Sequence, residues 1–377
     1  MNSRIKSNAA CARLANNTID YERLELDKSI IKPWEDGMRT EGKKGSYEWW
    51  YVDSEFDDGT TIVVVFYTKD HFDINGPARP TVDIEINYAN GKNLKGSINE
   101  HRGVVLNASK TECNVSIKNS FLKYQDNHYI LHYDDGQIKY EAIMTSTLQM
   151  WRPGTGHTLF GDDESKYFAW FVAQPSSKIE ATLNVDGVSK ELHGTGYHDH
   201  NWGNVSMNKL INHWYWGRAK VGNYHIIACD IIAEKEYGYK RLPIIMIAKN
   251  GKLITDDQSI TTIKRNDTIL HPDTKKFMDN HLTYEQQISD NEKYTIEFIR
   301  NRDIICDSLL NKISPIKRNV AKLLGANPTY TRVLGEVKMT IVLDNISEVI
   351  KNEGLWEQMF FGSNKEAIIY DEKEIQK

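Results

Sequence analysis

Cysteine and long apolar runs are both scarce in this chain of 377 residues, and each scarcity excludes a class of protein. The four cysteines, Cys11, Cys113, Cys229 and Cys306, lie far apart and form no CxxC pair. This spacing argues against a zinc ribbon or a disulfide framework and is typical of a reducing compartment. No apolar run approaches the roughly 20 residues that span a bilayer, and the first residues lack the apolar core of a signal peptide. We therefore expect a cytoplasmic protein without a transmembrane segment.

Positive charge and cofactor motifs are also lacking. The net charge of −5 and the pI near 6.2 leave no basic footprint, so nucleic acid is not an expected partner. The chain contains no GxGxxG after a strand, no Walker P-loop and no GxSxG nucleophile elbow. The glycine-rich segment WRPGTGHTLFG (151–161) follows no βα pattern, and we interpret it as a loop over a barrel mouth. These absences favour chemistry that needs no cofactor.

Helical periodicity is nearly absent before residue 205, and alternation of apolar and polar residues dominates instead. Strand-like runs of 6 to 9 residues are joined by turn signals such as DDG (57–59), NGK (90–92), DDG (134–136) and VDG (185–187). Short alternating runs with Asp-Gly or Asn-Gly turns are typical of antiparallel hairpins. The sequence therefore predicts an all-β antiparallel barrel or sandwich.

The length of the chain predicts two domains, because single cores rarely grow beyond about 250–300 residues. We expect a lead-in segment over 1–40, an N-terminal domain over 40–205 and a C-terminal domain over 206–377. Few helices are expected. The predicted helices are 303–324, interrupted at Pro315, and a short terminal one over NEGLWEQMFFG (352–362).

Aromatic and titratable residues are concentrated in two runs, YEWWYVD (47–53) and the segment 193–218, which contains TGYHDHNWG and HWYWGR. On strands, side chains alternate between two faces. Tyr197 and Asp199 would then face one way, and His198, His200 and Trp202 the other. We interpret the two runs as lining one apolar, aromatic-walled cavity with a few acids and imidazoles in it.

Asp199 is the first candidate for a catalytic acid. Burial in an apolar pocket raises the pKa of a carboxyl group and keeps it protonated at neutral pH, as protonation of a C=C bond requires. His198 or His200 could then position a water molecule or take the proton back. The alternative is that these groups form a buried structural network at the junction of the two domains.

The aromatic residues are predicted to contact the substrate. Their faces stabilise a carbocation by about 0.5–2 kcal/mol per ring and offer a flat apolar wall. Glu48 and Arg218 form either a structural ion pair or a substrate-orienting pair, with Glu48 also a catalytic candidate. The alternative is that the rings only fill barrel interiors. The predicted substrate-binding residues are Trp49, Trp50, Tyr51, Tyr197, Trp202, Trp214, Trp216 and Arg218.

A metal site is not expected. The HDH sequence with His193 and His213 nearby superficially resembles a His-rich zinc or iron site. Only His198 and His200 share a strand face, however, and no glutamate or cysteine lies at a telling spacing.

YEWWYVD, followed some 145 residues later by TGYHDHNWG and then by HWYWGR, resembles the carotenoid 1,2-hydratase (hydroxyneurosporene synthase) family. That family is similar to the lipocalin-like fungal Diels–Alderases. The resemblance covers about residues 40 to 230, with YTRVLGEV near Tyr330 continuing it. It implies two tandem lipocalin-like antiparallel β-barrels, with a pocket in or between them. It does not choose a reaction, because relatives hydrate, cyclise or catalyse cycloadditions.

The resulting hypothesis is a cofactor-independent enzyme that binds a lipophilic terpenoid, polyene or polyketide-type substrate and catalyses acid-assisted hydration or cyclisation at C=C bonds. In a pericyclase version no proton moves and the cavity folds the substrate into a reactive shape, with Arg218 or Glu48 polarising a carbonyl. A non-catalytic lipid carrier is the remaining alternative. The sequence leaves the substrate and the oligomeric state open.

Overall fold

The computed structural model describes residues 9–70, 73–312 and 327–362, and antiparallel strands dominate these segments. The chain divides into two compact units. The N-terminal unit consists of Leu14–Leu159 and Glu164–Met207. The C-terminal unit consists of Met1–Arg13, Phe160–Asp163 and Asn208–Lys377. No helix within the described ranges is long and apolar enough to cross a membrane.

The first sheet runs in the order β5-β4-β3-β2-β13-β12-β10-β9-β8-β7-β6, with β11 beside β12 and β1 beside β11. One short α-helix, α1, spans Thr18–Arg23, and a 3₁₀ turn spans Pro33–Asp36. The strands are β1 Ala12–Leu14, β2 Tyr47–Phe56, β3 Thr61–Tyr67, β4 Thr81–Asn87, β5 Asn93–Asn99, β6 Asn107–Ala108, β7 Asn114–Ile117, β8 Ser120–Gln125, β9 His128–Asp134, β10 Ile138–Ser146, β11 His157–Phe160, β12 Lys166–Val185 and β13 Val188–Gly203.

The pairing of β13 with β2 joins the two halves of this sheet, and these two strands are distant in sequence. The β12–β13 hairpin turns at Asp186 and Gly187, both with positive φ, as the VDG signal predicts. Its second strand then lies antiparallel to β2, with Asp199 opposite Tyr51. One face of the sheet buries an apolar core that includes Trp50, Tyr129 and Trp202, among other residues.

The second sheet belongs to the C-terminal unit and runs in the order β17-β16-β15-β14-β22-β21-β20-β19-β18. Its core contains Tyr215, Tyr284, Phe298 and Trp356. Short 3₁₀ turns span Met207–Lys209, Lys235–Tyr237, Gln258–Ile260 and Leu309–Lys312. The strands are β14 Ile211–Val221, β15 Tyr224–Ala233, β16 Arg241–Lys249, β17 Lys252–Thr255, β18 Thr261–Leu270, β19 Phe277–Ser289, β20 Glu292–Ser308, β21 Thr329–Leu343 and β22 Ile346–Phe360.

The all-β prediction is confirmed, the predicted terminal helix is wrong, and the helix predicted over 303–324 is wrong for its described first residues. The segment 303–308 continues β20, a 3₁₀ turn follows, and 313–326 lies outside the described residues. Nearly all of the segment 352–362 lies in β22, where Trp356 pairs with Val333 and Gly217 and is buried in the core. Pairing on both sides of β22 overrides the weak local preference for helix. The lead-in also carries structure, because its 3₁₀ turn places the Asp36 side chain in a fully buried position.

Gly194 of β13 allows the close approach of β2. A Cβ atom at this position would lie 2.0 Å from the carbonyl oxygen of Glu55 and 2.8 Å from the Cα of Phe56, both backbone atoms that cannot turn away. We expect Gly194→Ala to lower the free energy of unfolding by about 1–3 kcal/mol, as overpacking does. Urea titration of the full chain measures this change. Thr195→Ala, at the next and exposed position, is the control and should leave the midpoint unchanged.

Candidate active site

The register between β2 and β13 assigns the predicted site residues to two opposite faces of one sheet. Directly paired residues share a face. Asp199 pairs with Tyr51 and Asn201 with Trp49, whereas His200 pairs with Trp50. The first pairs define the outer face of this sheet, and the His200 pair lies on the inner face, which packs on the core. The alternation predicted for YHDHNWG is therefore confirmed, and the YEWWYVD strand alternates in the same way.

Asp199 is the centre of a hydrogen-bond network on the outer face. Its Oδ2 accepts the phenolic O–H of Tyr197 at 2.8 Å and the indole N–H of Trp170 at 2.9 Å. Its Oδ1 accepts the side-chain N–H of Asn201 at 2.7 Å. Only 7% of Asp199 is exposed. The carboxyl group is thus held in place by three neutral donors.

Burial raises the pKa of Asp199 from its ordinary value of 3.8 to about 7. The hydrogen bonds from Tyr197, Trp170 and Asn201 and the charge of His198 act in the opposite direction, because they stabilise the carboxylate. Desolvation outweighs them. A carboxyl group with a pKa near the ambient pH can both give and accept a proton, which is the property of a general acid–base group.

His200 and Glu48 form a pair on the inner face, where both side chains are fully buried. The Nε2 of His200 lies 2.8 Å from Oε1 of Glu48. Glu48 also accepts the backbone N–H groups of Arg39 and Thr40 at 2.6 and 2.7 Å and the hydroxyl of Thr40 at 2.8 Å. The indole ring of Trp50 stacks on the imidazole of His200 at 4.4 Å. Glu48 therefore has its acceptor capacity largely filled within the N-terminal unit.

His198 and Asp36 form a second buried pair on the same inner face. The Nε2 of His198 lies 3.1 Å from Oδ2 of Asp36, and its Nδ1 lies 2.8 Å from the carbonyl oxygen of Tyr51. Tyr129 donates its hydroxyl to the same Asp36 oxygen at 2.7 Å. Burial opposes a charge on His198, but the Asp36 carboxylate and the two hydrogen bonds outweigh it and raise the pKa of the imidazole. The contact with Asp36 therefore stabilises the protonated form of His198 relative to a free imidazole.

The single cavity predicted for all these residues is corrected. Asp199 has Tyr51 and Trp49 on its face, while Trp50, His198, His200 and Trp202 belong to the opposite face of the same strands. Because a strand turns alternate side chains to opposite sides, adjacent residues in the YHDHNWG run cannot act on one ligand from one face. His198 and His200 are therefore not placed to exchange protons with Asp199 directly.

The remaining predicted residues lie on β14 of the C-terminal unit. Tyr215 faces the core of that unit, and Trp214, Trp216 and Arg218 alternate with it on the other, half-buried face. The indole N–H of Trp214 donates to Glu357 at 3.2 Å. The pairing of Glu48 with Arg218 stays a prediction.

Potential metal ligands come together in two groups within the described ranges. Asp36, Cys113 and His198 form one, and His271, Asp303 and Cys306 form the other. In both groups the acid already accepts hydrogen bonds from donors of the chain, such as Tyr129 on Asp36 and Arg300 on Asp303. These contacts describe hydrogen-bond networks, and we assign no ion to either group.

Sequence reasoning missed Trp170 and Asp36. Trp170 donates to Asp199 because β12 lies beside β13, with Trp170 paired to Asn201. The sequence offered one signal for Trp170, because its indole lies at an alternating position of the strand that precedes the YHDHNWG strand. Asp36 had no such signal, since it lies in the segment expected to be an irregular lead-in and 162 residues away from His198.

The His200–Glu48 pair on the inner face leads to a prediction about stability. Glu48→Ala would leave the Nε2 of His200 and two backbone N–H groups buried without an acceptor. We expect a loss of about 3–5 kcal/mol of unfolding free energy, as for other broken buried pairs, measured by urea titration followed by circular dichroism. Glu191→Ala, which removes an exposed carboxylate from the same β13 strand, should have little effect. A loss below about 1 kcal/mol for Glu48→Ala would show that the pair does not stabilise the fold.

The pKa of Asp199 gives a spectroscopic prediction that needs no substrate. The infrared difference spectrum between the wild type and Asp199→Asn should contain the carbonyl band of a protonated carboxylic acid under acidic conditions. This band should disappear with a midpoint near pH 7, because deprotonation follows the raised pKa. A midpoint near the ordinary value of 3.8 would contradict the burial argument.

Comparison with curated proteins finds partial matches. The chain is 29% identical over 83 residues to a quinolone epoxide rearrangement protein of Penicillium thymicola, covering 22% of each chain. It is 25% identical over 207 residues to the ceramide-binding protein svf1 of Schizosaccharomyces pombe, covering 52% of this chain and 54% of the relative. The chain therefore matches about a fifth to about half of the length of these relatives.

Comparison with solved structures finds the same fold. The structure of kievitone hydratase from Nectria haematococca superimposes with a TM-score of 0.53, covering 93% of this chain and 97% of that chain at 13% identity. The lipocalin-like architecture implied by the resemblance is thereby confirmed. In addition, the sequence model of the family described as Diels-Alderase-like matches residues 42–303, which is more than half of the chain. This protein is a member of the Diels-Alderase-like family.

Proposed function

We propose that this protein is a cofactor-independent enzyme that binds a lipophilic terpenoid, polyene or polyketide-type molecule and catalyses acid-assisted hydration or cyclisation at a C=C bond. The observation that carries the proposal is the buried Asp199 carboxyl group, whose pKa is raised to about 7 while three neutral donors hold it. Membership of the Diels-Alderase-like family supports a reaction of this general kind.

Asp199 acts as the proton donor in this proposal. Its O–H bond breaks as the proton joins one carbon of the C=C bond, which leaves a carbocation at the other carbon. The hydrogen bonds from Tyr197, Trp170 and Asn201 stabilise the carboxylate formed in this step. In hydration, water adds to the cation and returns a proton to Asp199. In cyclisation, a second C=C bond attacks the cation, and loss of a proton to Asp199 completes the cycle.

The aromatic side chains of the outer face are suited to shield the cation. Tyr51 lies directly opposite Asp199 on β2, and Trp49 is the next residue on the same face. Tyr51 also contacts Tyr197 edge-on at 6.3 Å. Each ring contributes about 0.5–2 kcal/mol to the stability of a nearby cation. We assign these rings to substrate contact. For Trp214, Trp216 and Arg218 of β14, the predicted role in substrate binding is kept as a separate proposal for the C-terminal unit.

The inner-face residues have a supporting role in this proposal. His198, His200 and Glu48 fix β13 against β2 and the 3₁₀ turn through buried contacts between imidazole and carboxyl groups. Trp50 and Trp202 pack beside them. A strand held rigidly on one face presents Asp199 at a defined position on the other. We therefore propose positioning, rather than proton transfer, for these five residues.

Two other functions remain candidates, each with an observation in its favour. A pericyclase is favoured by the family match, and in it the protonated Asp199 would donate a hydrogen bond to a carbonyl of the substrate without releasing its proton. A lipid carrier is favoured by the relative named ceramide-binding protein. In every case the partner is a small lipophilic molecule, and we propose a cytoplasmic location.

Replacing Asp199 separates an enzyme from a carrier. Asp199→Asn keeps the shape and removes the acid, so we expect turnover of a candidate polyene to fall by about 10²–10⁴-fold, with substrate binding retained. Product formation is measured by chromatography and binding by quenching of tryptophan fluorescence. Asp83→Asn, on β4 and hydrogen-bonded to Ser97, is the matched control and should keep full activity. If the wild type and Asp199→Asn both bind the polyene and neither forms a product, the protein is a carrier.

Isotopic solvents then separate the reaction types in the same experiment. Deuterium from D₂O appears in the product when Asp199 protonates carbon, and ¹⁸O from labelled water appears only when hydration follows. An isomer that carries neither label indicates a pericyclic step and would contradict the acid mechanism.

A further inference from the structure

The N-terminal unit contains a cavity of about 180 Å³ that involves none of the outer-face residues around Asp199. Its apolar wall consists of Leu24, Leu26, Trp34, Phe171 and Trp202. A cavity of about 150 Å³ is large enough to bind benzene. The space therefore suits a ligand with a single aromatic ring.

His157 supplies a hydrogen-bond acceptor to this cavity. The ring lines the cavity, is 8% exposed and contacts Trp202 edge-on at 5.5 Å. Burial lowers the pKa of His157 to about 4, and the nearby Arg23 and Arg152 also act in that direction. The imidazole is thus neutral, and its Nδ1 carries the proton because it lies 3.0 Å from the carbonyl oxygen of Thr155. The lone pair is on Nε2, which has no hydrogen-bond partner among the described residues.

Arg39 supplies a cationic donor to the same cavity. Its guanidinium lies over the ring of Trp34 at 5.0 Å. Nε donates to the carbonyl oxygen of Gly37 at 2.7 Å and Nη2 to that of Lys110 at 2.6 Å. The structure shows no acceptor for Nη1 within the ranges it describes. Two hydrogen bonds therefore hold the Arg39 guanidinium in place, and its Nη1 can still donate to an anionic or carbonyl oxygen of a ligand.

The other polar residues of the lining are already satisfied. Glu35 and Arg152 form a buried ion pair at 2.7 Å, and Arg152 also donates to the carbonyl oxygens of Gly154 and Asp27. The hydroxyl of Thr155 donates to the carbonyl oxygen of Ala15 at 2.9 Å. The cavity therefore offers one neutral acceptor and one cationic donor between aromatic walls.

We infer that this cavity is a small-molecule binding site for a monocyclic aromatic acid that carries a hydroxyl group. The hydroxyl donates to Nε2 of His157, the carboxylate accepts from Arg39, and the ring packs against Trp34 and Trp202. The site is separate from the reaction proposed at Asp199, because Trp202 and Asp199 lie on opposite faces of β13.

The probe for this site is 4-hydroxybenzoate, titrated into the full chain by calorimetry and followed by quenching of tryptophan fluorescence. We expect saturable binding at one site per chain. Two analogues test the two polar contacts on the unaltered protein: 4-methylbenzoate lacks the hydroxyl donor, and 4-methylphenol lacks the carboxylate. Each should bind at least about fivefold more weakly, the factor expected for loss of one hydrogen bond.

Two variants assign the contacts to residues. His157→Phe keeps an aromatic ring but removes the acceptor, so it should weaken 4-hydroxybenzoate about fivefold or more and leave 4-methylbenzoate unchanged. Arg39→Met should weaken both carboxylates and leave 4-methylphenol unchanged. Lys123→Met removes a cation that lies 5.3 Å from the ring of Phe121, away from the cavity lining, and is the matched control. Asp199→Asn should bind the probe like the wild type.

The inference is overturned if the wild type shows no saturable binding of 4-hydroxybenzoate, or if both analogues bind as tightly as the probe. The inference is also overturned if folded His157→Phe and Arg39→Met, verified by circular dichroism, both bind 4-hydroxybenzoate as tightly as the wild type. The ligand would then bind elsewhere. If Asp199→Asn no longer binds 4-hydroxybenzoate, the cavity and the reaction site are not independent, which contradicts the inferred separation.

Discussion

The antiparallel pairing of β2 with β13 in a single register is the constraint on which the candidate site depends. A shift of β13 by one residue along β2 would turn the side chains of β13 to the opposite faces of the sheet. Asp199 would then enter the core, and His198 and His200 would leave their acids. Gly194 allows the two backbones to approach closely, and the pairs on the inner face tie both strands to the 3₁₀ turn at Pro33–Asp36. The chemistry of one face therefore relies on the packing of the other.

The carboxyl groups on the two faces have different hydrogen-bond partners. This difference explains why Asp199 is the candidate acid. On the inner face, Asp36 and Glu48 each have an imidazole partner: His198 lies 3.1 Å from Asp36, and His200 lies 2.8 Å from Glu48. Asp199 is hydrogen-bonded only by neutral groups, the hydroxyl of Tyr197 and two N–H donors. Neutral donors orient a carboxylate but offset desolvation less fully than a cation in contact does. Desolvation therefore raises the pKa of Asp199 in spite of its three hydrogen bonds.

A barrel interior that contains charged pairs is expensive to build, since each ion must leave water. In this protein the imidazoles of His200 and His198 contact Trp50 and Tyr129, so the polar groups are embedded in the aromatic core. Such a network is satisfied only in one arrangement of the strands, and it thereby disfavours alternative registers. We attribute the concentration of histidines and acids in these strands partly to this structural requirement and only partly to chemistry.

Much of the local structure follows from the sequence, because alternation and turn residues act over a few positions. The strands, the Asp-Gly turns, the two faces of YHDHNWG and the buried acid Asp199 could all be predicted in this way. Errors arose wherever a partner distant in the chain decided the outcome. The segment 352–362 is almost wholly a strand because β14 and β21 pair with it on both sides. Which strands pair also decides the contacts of Asp36 and Trp170 and the division of the one expected cavity into two faces. Pairing across about 150 residues is set by the packing of the whole core, because no local pattern specifies it.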